Sequence, residues 1–282
     1  MTPLKFNLLR LFLGILGRLP LPMVHGLGIL LGWLSYFFSS KNAHITQENL
    51  RLSAICHDEK TFRRTLHQNI SESGKALLET FAIWFRGDKQ QLSLVRNFDG
   101  WEEIEDARSS GKGLILLTPH LGCFEIISLY YGSHYPVTIL YREPRHAWLM
   151  SLITEGRQRG NITLAPANSK GVKLLLQALN RGEAIGILPD QAPLEGVGEW
   201  APFFGRPAHT MTLASKLAKK TGAHVFMVFG ERLSWGRGYS IHNRAIETGG
   251  IKTPALLNAE IERTVRQCPE QYLWMYDRYK VR

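Results

Sequence analysis

Apolar and polar positions alternate in three different rhythms along the chain. Between Arg18 and Lys41 runs LPLPMVHGLGILLGWLSYFFSS, free of charge when His25 is neutral. That length is close to what a hydrocarbon core of roughly 30 Å requires. Ahead of it, FNLLRLFLGILGRL sets Arg10 and Arg18 among apolar residues, as in a helix lying in the head-group layer with its basic side chains snorkelling. No small-residue cleavage site follows, so the segment is expected to be retained. From Ile45 to Trp84 apolar residues such as Leu50, Leu66, Ile70, Leu77, Leu78 and Phe81 recur at helical spacing, predicting two or three amphipathic helices.

After a short helix over Asp99 to Ser110 the rhythm changes. GKGLILLTPH reads as a buried strand, YPVTILYR as a strand, HAWLMSLITEGRQRG as a helix, ITLAP as a strand, SKGVKLLLQALNRG as a helix and EAIGILPDQ as a strand. A loop, APLEGVGEWAPFFGRPAHT, precedes the helix TLASKLAKKTG, the strands HVFMVFGERL and YSIHNRAIE, and a last helix from Pro254 to Cys268. This alternation predicts an α/β fold whose central, mainly parallel sheet is flanked by helices. Sites in such sheets gather at the carboxyl ends of strands, where His120, Arg142, Pro166 and Asp190 fall. The expected organisation is a membrane-associated helical segment over 1–44 and one catalytic domain over 45–282.

The formal charge of +10 implies an acidic partner. Nucleic acid is disfavoured, because no zinc-ligand set, Arg-rich arm or aromatic RNA-binding motif accompanies the charge. Three cysteines without metal-ligand spacing fit a reducing, cytoplasmic setting.

The candidate chemistry lies in Thr118-Pro119-His120-Leu121-Gly122-Cys123-Phe124-Glu125. A histidine held just before a helix can be met by a glutamate in its first turn, and a carboxylate on one ring nitrogen leaves the other to accept a proton. No G-x-S-x-G elbow supplies a serine, so the nucleophile is expected to be a substrate hydroxyl. Cys123 beside the pair could in principle form an acyl-enzyme, but buried packing accounts for it.

The apolar start followed by ENLRL, the HLGCFE box, YRE, EGRQRG, DQAPLEG with APFFGRPAHT, and the tail PEQYLWMYDRYK together resemble the lysophospholipid acyltransferase superfamily. The resemblance is to its lipid A late-acyltransferase branch of lauroyl or myristoyl type. Departures are Cys123-Phe124, where the branch usually has Asn-Trp, and Tyr276-Asp277, where it usually has His-Arg.

The resemblance implies that His120 acts as base on the acceptor hydroxyl and that Glu125 orients it. It implies further that Gly122, Arg142, Arg157, Asp190, Gln191 and Phe204 border the substrates. Arg142 and Arg157 would bind acceptor phosphate or stabilise the oxyanion, Gly196 and Gly198 would bend a loop toward substrate, and Phe203 with Phe204 would line an acyl channel. No metal or other cofactor is implied. The expected donor is an acyl carrier protein thioester and the expected acceptor a lipid A precursor, at the bacterial inner membrane with the catalytic domain facing the cytoplasm.

Lys216, Lys219 and Lys220, with Arg63, Arg64 and Lys75 and the tail residues Arg278, Lys280 and Arg282, are candidate basic surface for an acidic carrier or anionic lipid. Two alternatives remain open at this point: an acyltransferase for a lysophospholipid, ornithine lipid or glycolipid, and a non-catalytic lipid-binding membrane protein.

Overall fold

The computed structural model describes residues 3–144, 146–193 and 196–280. Two strands sit at its centre, β2 (Leu114–Leu117) and β5 (Ala184–Ile187), paired in parallel and buried at every position. Burial on both faces explains why they read as unbroken apolar runs. Because side chains alternate across a strand, Ile115 and Leu117 join one core cluster while Leu114 and Leu116 join the other.

Outward from β5 lie β3 (Val137–Tyr141) and β4 (Ile162–Pro166), both parallel to it. On the other side come β8 (His224–Arg232), β9 (Tyr239–Ile246) and β1 (Val95–Asp99), giving a seven-stranded sheet in the order β1-β9-β8-β2-β5-β3-β4. Only the β8–β9 pair is antiparallel. The expected mainly parallel α/β sheet is therefore present. Helices α5 (Asp88–Leu92), α6 (Trp101–Ser109), α7 (Phe124–His134), α8 (Ala147–Arg157), α9 (Ser169–Asn180), α10 (Leu213–Thr221) and α11 (Pro254–Val265) fill the connections. Their starts follow local chemistry: the Asn168 side chain accepts from the amides of Lys170 and Gly171, and Thr253 caps α11 ahead of Pro254.

Three strands escaped the sequence reading. β1 is a half-exposed edge strand, and the stretch read as a loop contains a hairpin of β6 (Glu199–Phe203) and β7 (Arg206–Thr210). Pro202 and Pro207 face each other in that hairpin, and prolines argue against strand on sequence alone.

The N-terminal helices are α1 (Pro3–Arg18), α2 (Leu21–Phe38), α3 (Ser40–Leu52) and α4 (Glu59–Trp84), the last capped by the Asp58 carboxylate at the Thr61 amide. Among the described residues α2 alone is long and apolar enough to cross a membrane by length and composition. It runs antiparallel along α4 at close range, since a Cβ built on Gly74 would stand 2.0 Å from the Gly28 carbonyl oxygen. A buried polar cluster locks the pair to the sheet. His25 Nε2 lies 3.1 Å from Glu79 Oε2, which also accepts from Arg232 Nε at 2.8 Å and from the Tyr239 hydroxyl at 2.9 Å. Burial alone would raise the Glu79 carboxyl, but Arg232 and His25 outweigh it and hold it at about 2.

The opposite faces of α1 and α2 are bare. Leu4, Leu8, Leu11, Phe12 and Ile15 on α1, and Met23, Leu27, Leu30, Leu34 and Phe37 on α2, are exposed at helical spacing. Residue 44, where the sequence reading divides the chain, falls inside α3. Arg282, at the end of the basic tail, lies outside the described residues.

Candidate active site

Register places the central pair of residues. Leu117 of β2 stands opposite Ile187 of β5, and the Thr118 amide continues the ladder to the Ile187 carbonyl at 2.9 Å. Three residues beyond each of those partners come His120 and Asp190. The Asp190 carboxylate accepts twice from His120, from its backbone amide to Oδ2 and from ring Nδ1 to Oδ1, both at 2.9 Å. Asp190 is buried. Burial would raise its carboxyl, but the charge of His120 and the hydrogen bonds from it hold it below the usual carboxylate range.

An imidazole donating from Nδ1 presents Nε2 as the acceptor. Gln191 Nε2 lies 3.2 Å from that atom, and the Phe124 ring packs 4.9 Å from the imidazole.

Glu125 does not reach His120. It lies buried in the first turn of α7 and accepts from Arg157 Nε at 2.9 Å, again from Arg157 Nη2, and from Trp84 Nε1 at 3.1 Å. The expected His120–Glu125 contact is thus replaced by His120–Asp190. Both ring nitrogens of His120 have other neighbours, and the half-buried Arg157 guanidinium needs a carboxylate beside it. Burial works against the Arg157 cation, yet Glu125 raises its pKa above the ordinary value.

These groups open on one cavity of about 370 Å³, within the usual range for a ligand site. Its walls are Leu31, Gly32, Ser35 and Tyr36 of α2, a long stripe of α4 from Asn69 to Trp84, and Leu273 and Met275 near the carboxyl end. His120, Phe124, Glu125 and Arg157 complete the lining. The stripe on α4 is about 22 Å long at the helical rise per residue, and most of its residues are apolar or small.

A strap over residues 269–276 braces the His120 turn. The Leu273 amide donates to the His120 carbonyl at 3.1 Å and the Gly122 amide to the Gln271 carbonyl at 3.0 Å. Asn69 and Asn49 side-chain amides hold the carbonyls of Tyr272 and Trp274, at 2.7 and 2.9 Å. The Ala192 amide donates to the Tyr276 hydroxyl at 3.0 Å. Asn49 belongs to the ENLRL string of the resemblance, whereas Asn69 carries no sequence signature, because it matters only through a partner some 200 residues away.

Other residues expected at the site stand elsewhere. Gly122 shapes the turn through its backbone: its φ is +60°, and a Cβ there would sit 2.0 Å from the Gly230 carbonyl oxygen. Arg142 is exposed at the end of β3 and does not line the cavity. Phe204 is a core residue, packed 4.7 Å from Phe203 and 5.6 Å from Trp274, with its amide on Glu262. It packs beside the rest of the aromatic core and does not line the cavity, and Phe203 is buried with it. Gly198 adopts φ +124° against Pro193 and Thr210, while Gly196 turns at φ +76° with no close neighbour. Cys123 is buried, and burial pushes its thiol well up. Of the basic-surface candidates, Lys75 is half-buried and pairs with Glu72 at 2.5 Å, and Arg278 is buried and donates to the His209 carbonyl at 2.6 Å.

An α/β sheet carrying a histidine–aspartate pair at adjacent strand ends, beside a mainly apolar cavity, is a site suited to general-base catalysis on a substrate with an apolar portion. Residues 5–281 match the family described as bacterial lipid A biosynthesis acyltransferase, and the chain belongs to that family. It is 28% identical over 271 residues to the lipid A biosynthesis lauroyltransferase of Escherichia coli (strain K12), covering 94% of this chain and 88% of that relative. Against the lipid A biosynthesis palmitoleoyltransferase of the same organism the identity is 28% over 274 residues, 94% of this chain and 87% of the relative. A lipid A biosynthesis acyltransferase of Haemophilus influenzae is 25% identical over 274 residues, with coverage of 94% and 86%.

Proposed function

We propose that this protein moves a fatty acyl chain from an acyl carrier protein thioester to a hydroxyl of a lipid A precursor, with His120 as general base and Asp190 as the residue that orients it. The observation that carries this reading is the imidazole fixed through Nδ1, with Nε2 turned away from the carboxylate, at the wall of a mainly apolar cavity.

In the first step the acceptor hydroxyl displaces Gln191 from Nε2 and gives its proton to that nitrogen as its oxygen attacks the thioester carbonyl. The imidazolium so formed is stabilised by Asp190, whose depressed carboxyl stays ionised. The tetrahedral oxyanion then collapses, the carbon–sulfur bond breaks, and the leaving thiolate recovers the proton from His120. Ester and free thiol are the products, and atoms balance without any co-reactant. Gln191, once displaced, and Arg157, whose Nη1 takes no part in the pair with Glu125, are the donors within the site suited to the oxyanion. The Glu125–Arg157 pair itself keeps α7 and α8 in place beside the cavity. Arg142, outside the cavity, has no part in this chemistry.

The acidic donor suits a chain of charge +10. We read α1 and α2 as lying on the cytoplasmic face of the inner membrane with their bare apolar faces in the lipid. The buried tie from His25 to Glu79 and Arg232 favours a helix held flat against the catalytic body over one that leaves it to span.

Turnover of purified protein with carrier thioesters and a lipid A precursor, followed by mass spectrometry, tests the proposal. A mass gain of one acyl chain supports it, and His120→Ala should lower turnover by about 100-fold or more. Transfer to lysophospholipid alone would overturn the acceptor, and undiminished turnover in His120→Ala would overturn the base.

A further inference from the structure

The β8–β9 turn carries a feature that the transfer chemistry does not use. Trp235 is 88% exposed, and its backbone stands in the left-handed region at φ +60°, ψ +24°. A bulky residue there is an outlier that costs free energy, and a solvent-exposed indole makes no packing contact that repays it. The turn is nonetheless well fixed. The Leu233 amide donates to the Gly238 carbonyl at 2.9 Å, and Arg96 Nε donates to the Arg237 carbonyl at 2.7 Å.

Position gives the turn a meaning. A Cβ built on Gly236 would stand 2.5 Å from the nitrogen of Pro22, so the turn abuts the first helical turn of α2. The exposed Met23 follows directly. Arg237 is exposed on the same turn, and the exposed Arg96 reaches its carbonyl from β1. An indole flanked by guanidinium groups, next to a bare apolar helix, is the arrangement that settles at a bilayer's head-group level, and anionic lipid complements the basic charge.

We propose that Trp235 is an interfacial anchor that inserts into an anionic lipid surface beside α2, giving the catalytic body a contact point in addition to the two N-terminal helices. This rests on the membrane reading above. Contacts on α1 and α2 alone would leave the body able to rock about the helices, whereas a further point from the sheet fixes its tilt and hence where the cavity faces.

The test uses the full chain and vesicles of phosphatidylethanolamine and phosphatidylglycerol with brominated acyl chains. Trp235→Phe should remove a quenched component of the tryptophan emission. Trp235→Asn, which tolerates the left-handed backbone, should weaken vesicle binding by roughly tenfold, as partial loss of indole burial implies. Its thermal midpoint and its turnover in detergent should stay at wild-type values. Unchanged quenching in Trp235→Phe, or wild-type vesicle affinity in Trp235→Asn, would overturn the anchor while leaving the membrane reading intact. Wild-type protein that stays in the supernatant at every vesicle composition would instead overturn both.

Discussion

Glu125 gives both carboxylate oxygens to Arg157, a residue 32 positions later in the chain, and the two face the cavity together. Removing one member leaves a buried charge without its partner. Glu125→Gln and Arg157→Met should each lower stability by roughly 3–5 kcal/mol, and the double variant should recover a large part of the loss. Denaturant titrations of the four proteins check this, and additive losses would show the pair to be uncoupled. Arg157→Lys should rescue poorly, because an ammonium cannot reproduce the two-pronged contact.

Asp190→Asn keeps the shape of the His120 turn but removes the charge that favours the imidazolium. Turnover should fall by about 10²- to 10⁴-fold with little change in KM. Because the two residues act as a unit, His120→Ala/Asp190→Asn should be no slower than His120→Ala alone. Steady-state kinetics of the three variants decide the matter.

Cys123 should be a bystander. Its thiol is buried and its pKa is pushed well up, so little thiolate exists at neutral pH. Cys123→Ala should retain turnover within a few-fold, and mass spectrometry of protein mixed with donor alone should find no thioester on the chain. Native protein treated with a thiol reagent should be labelled first at Cys56, the partly exposed cysteine.

Acid should loosen the tie between α2 and the sheet. Folding lowers the Glu79 carboxyl from the ordinary 4.5 to about 2, so its contribution is complete above pH 4.5 and is lost as pH falls through that window toward 2. The linked stability is on the order of 3 kcal/mol. Unfolding midpoints measured between pH 7 and pH 3 should therefore decline below about 4.5. Glu79→Gln should be less stable at neutral pH and show a shallower acid limb, and an acid limb of wild-type slope in that variant would contradict the assignment.

Much of the architecture could be read from periodicity, because β2 and β5 are buried on both faces and the intervening helices are amphipathic. The order of strands could not. Asp190 stood at a strand end in the sequence reading just as His120 did, but nothing local says that β2 and β5 are neighbours in equal register. Glu125 was nearer along the chain and so was expected to meet the histidine, and the helix turn that starts at Phe124 carries it instead to Arg157. Phe204 and Gly122 stand away from the cavity wall for a related reason. Motif strings mark residues that a fold needs as readily as those that touch a ligand.

The strap that braces the His120 turn has a consequence for how the molecule matures. Asn49 reaches the Trp274 carbonyl across 225 positions of sequence, so this closure is among the most non-local events in folding and should come late. A nascent polypeptide that has not yet released Tyr272 and Trp274 from the ribosome already holds His120 and Asp190 but lacks the clamp on their turn. Acyl groups should therefore be safe from a half-made enzyme. Stalled chains with and without residues 270–280 outside the ribosomal tunnel, assayed for acyl transfer, would reveal activity only in the longer form.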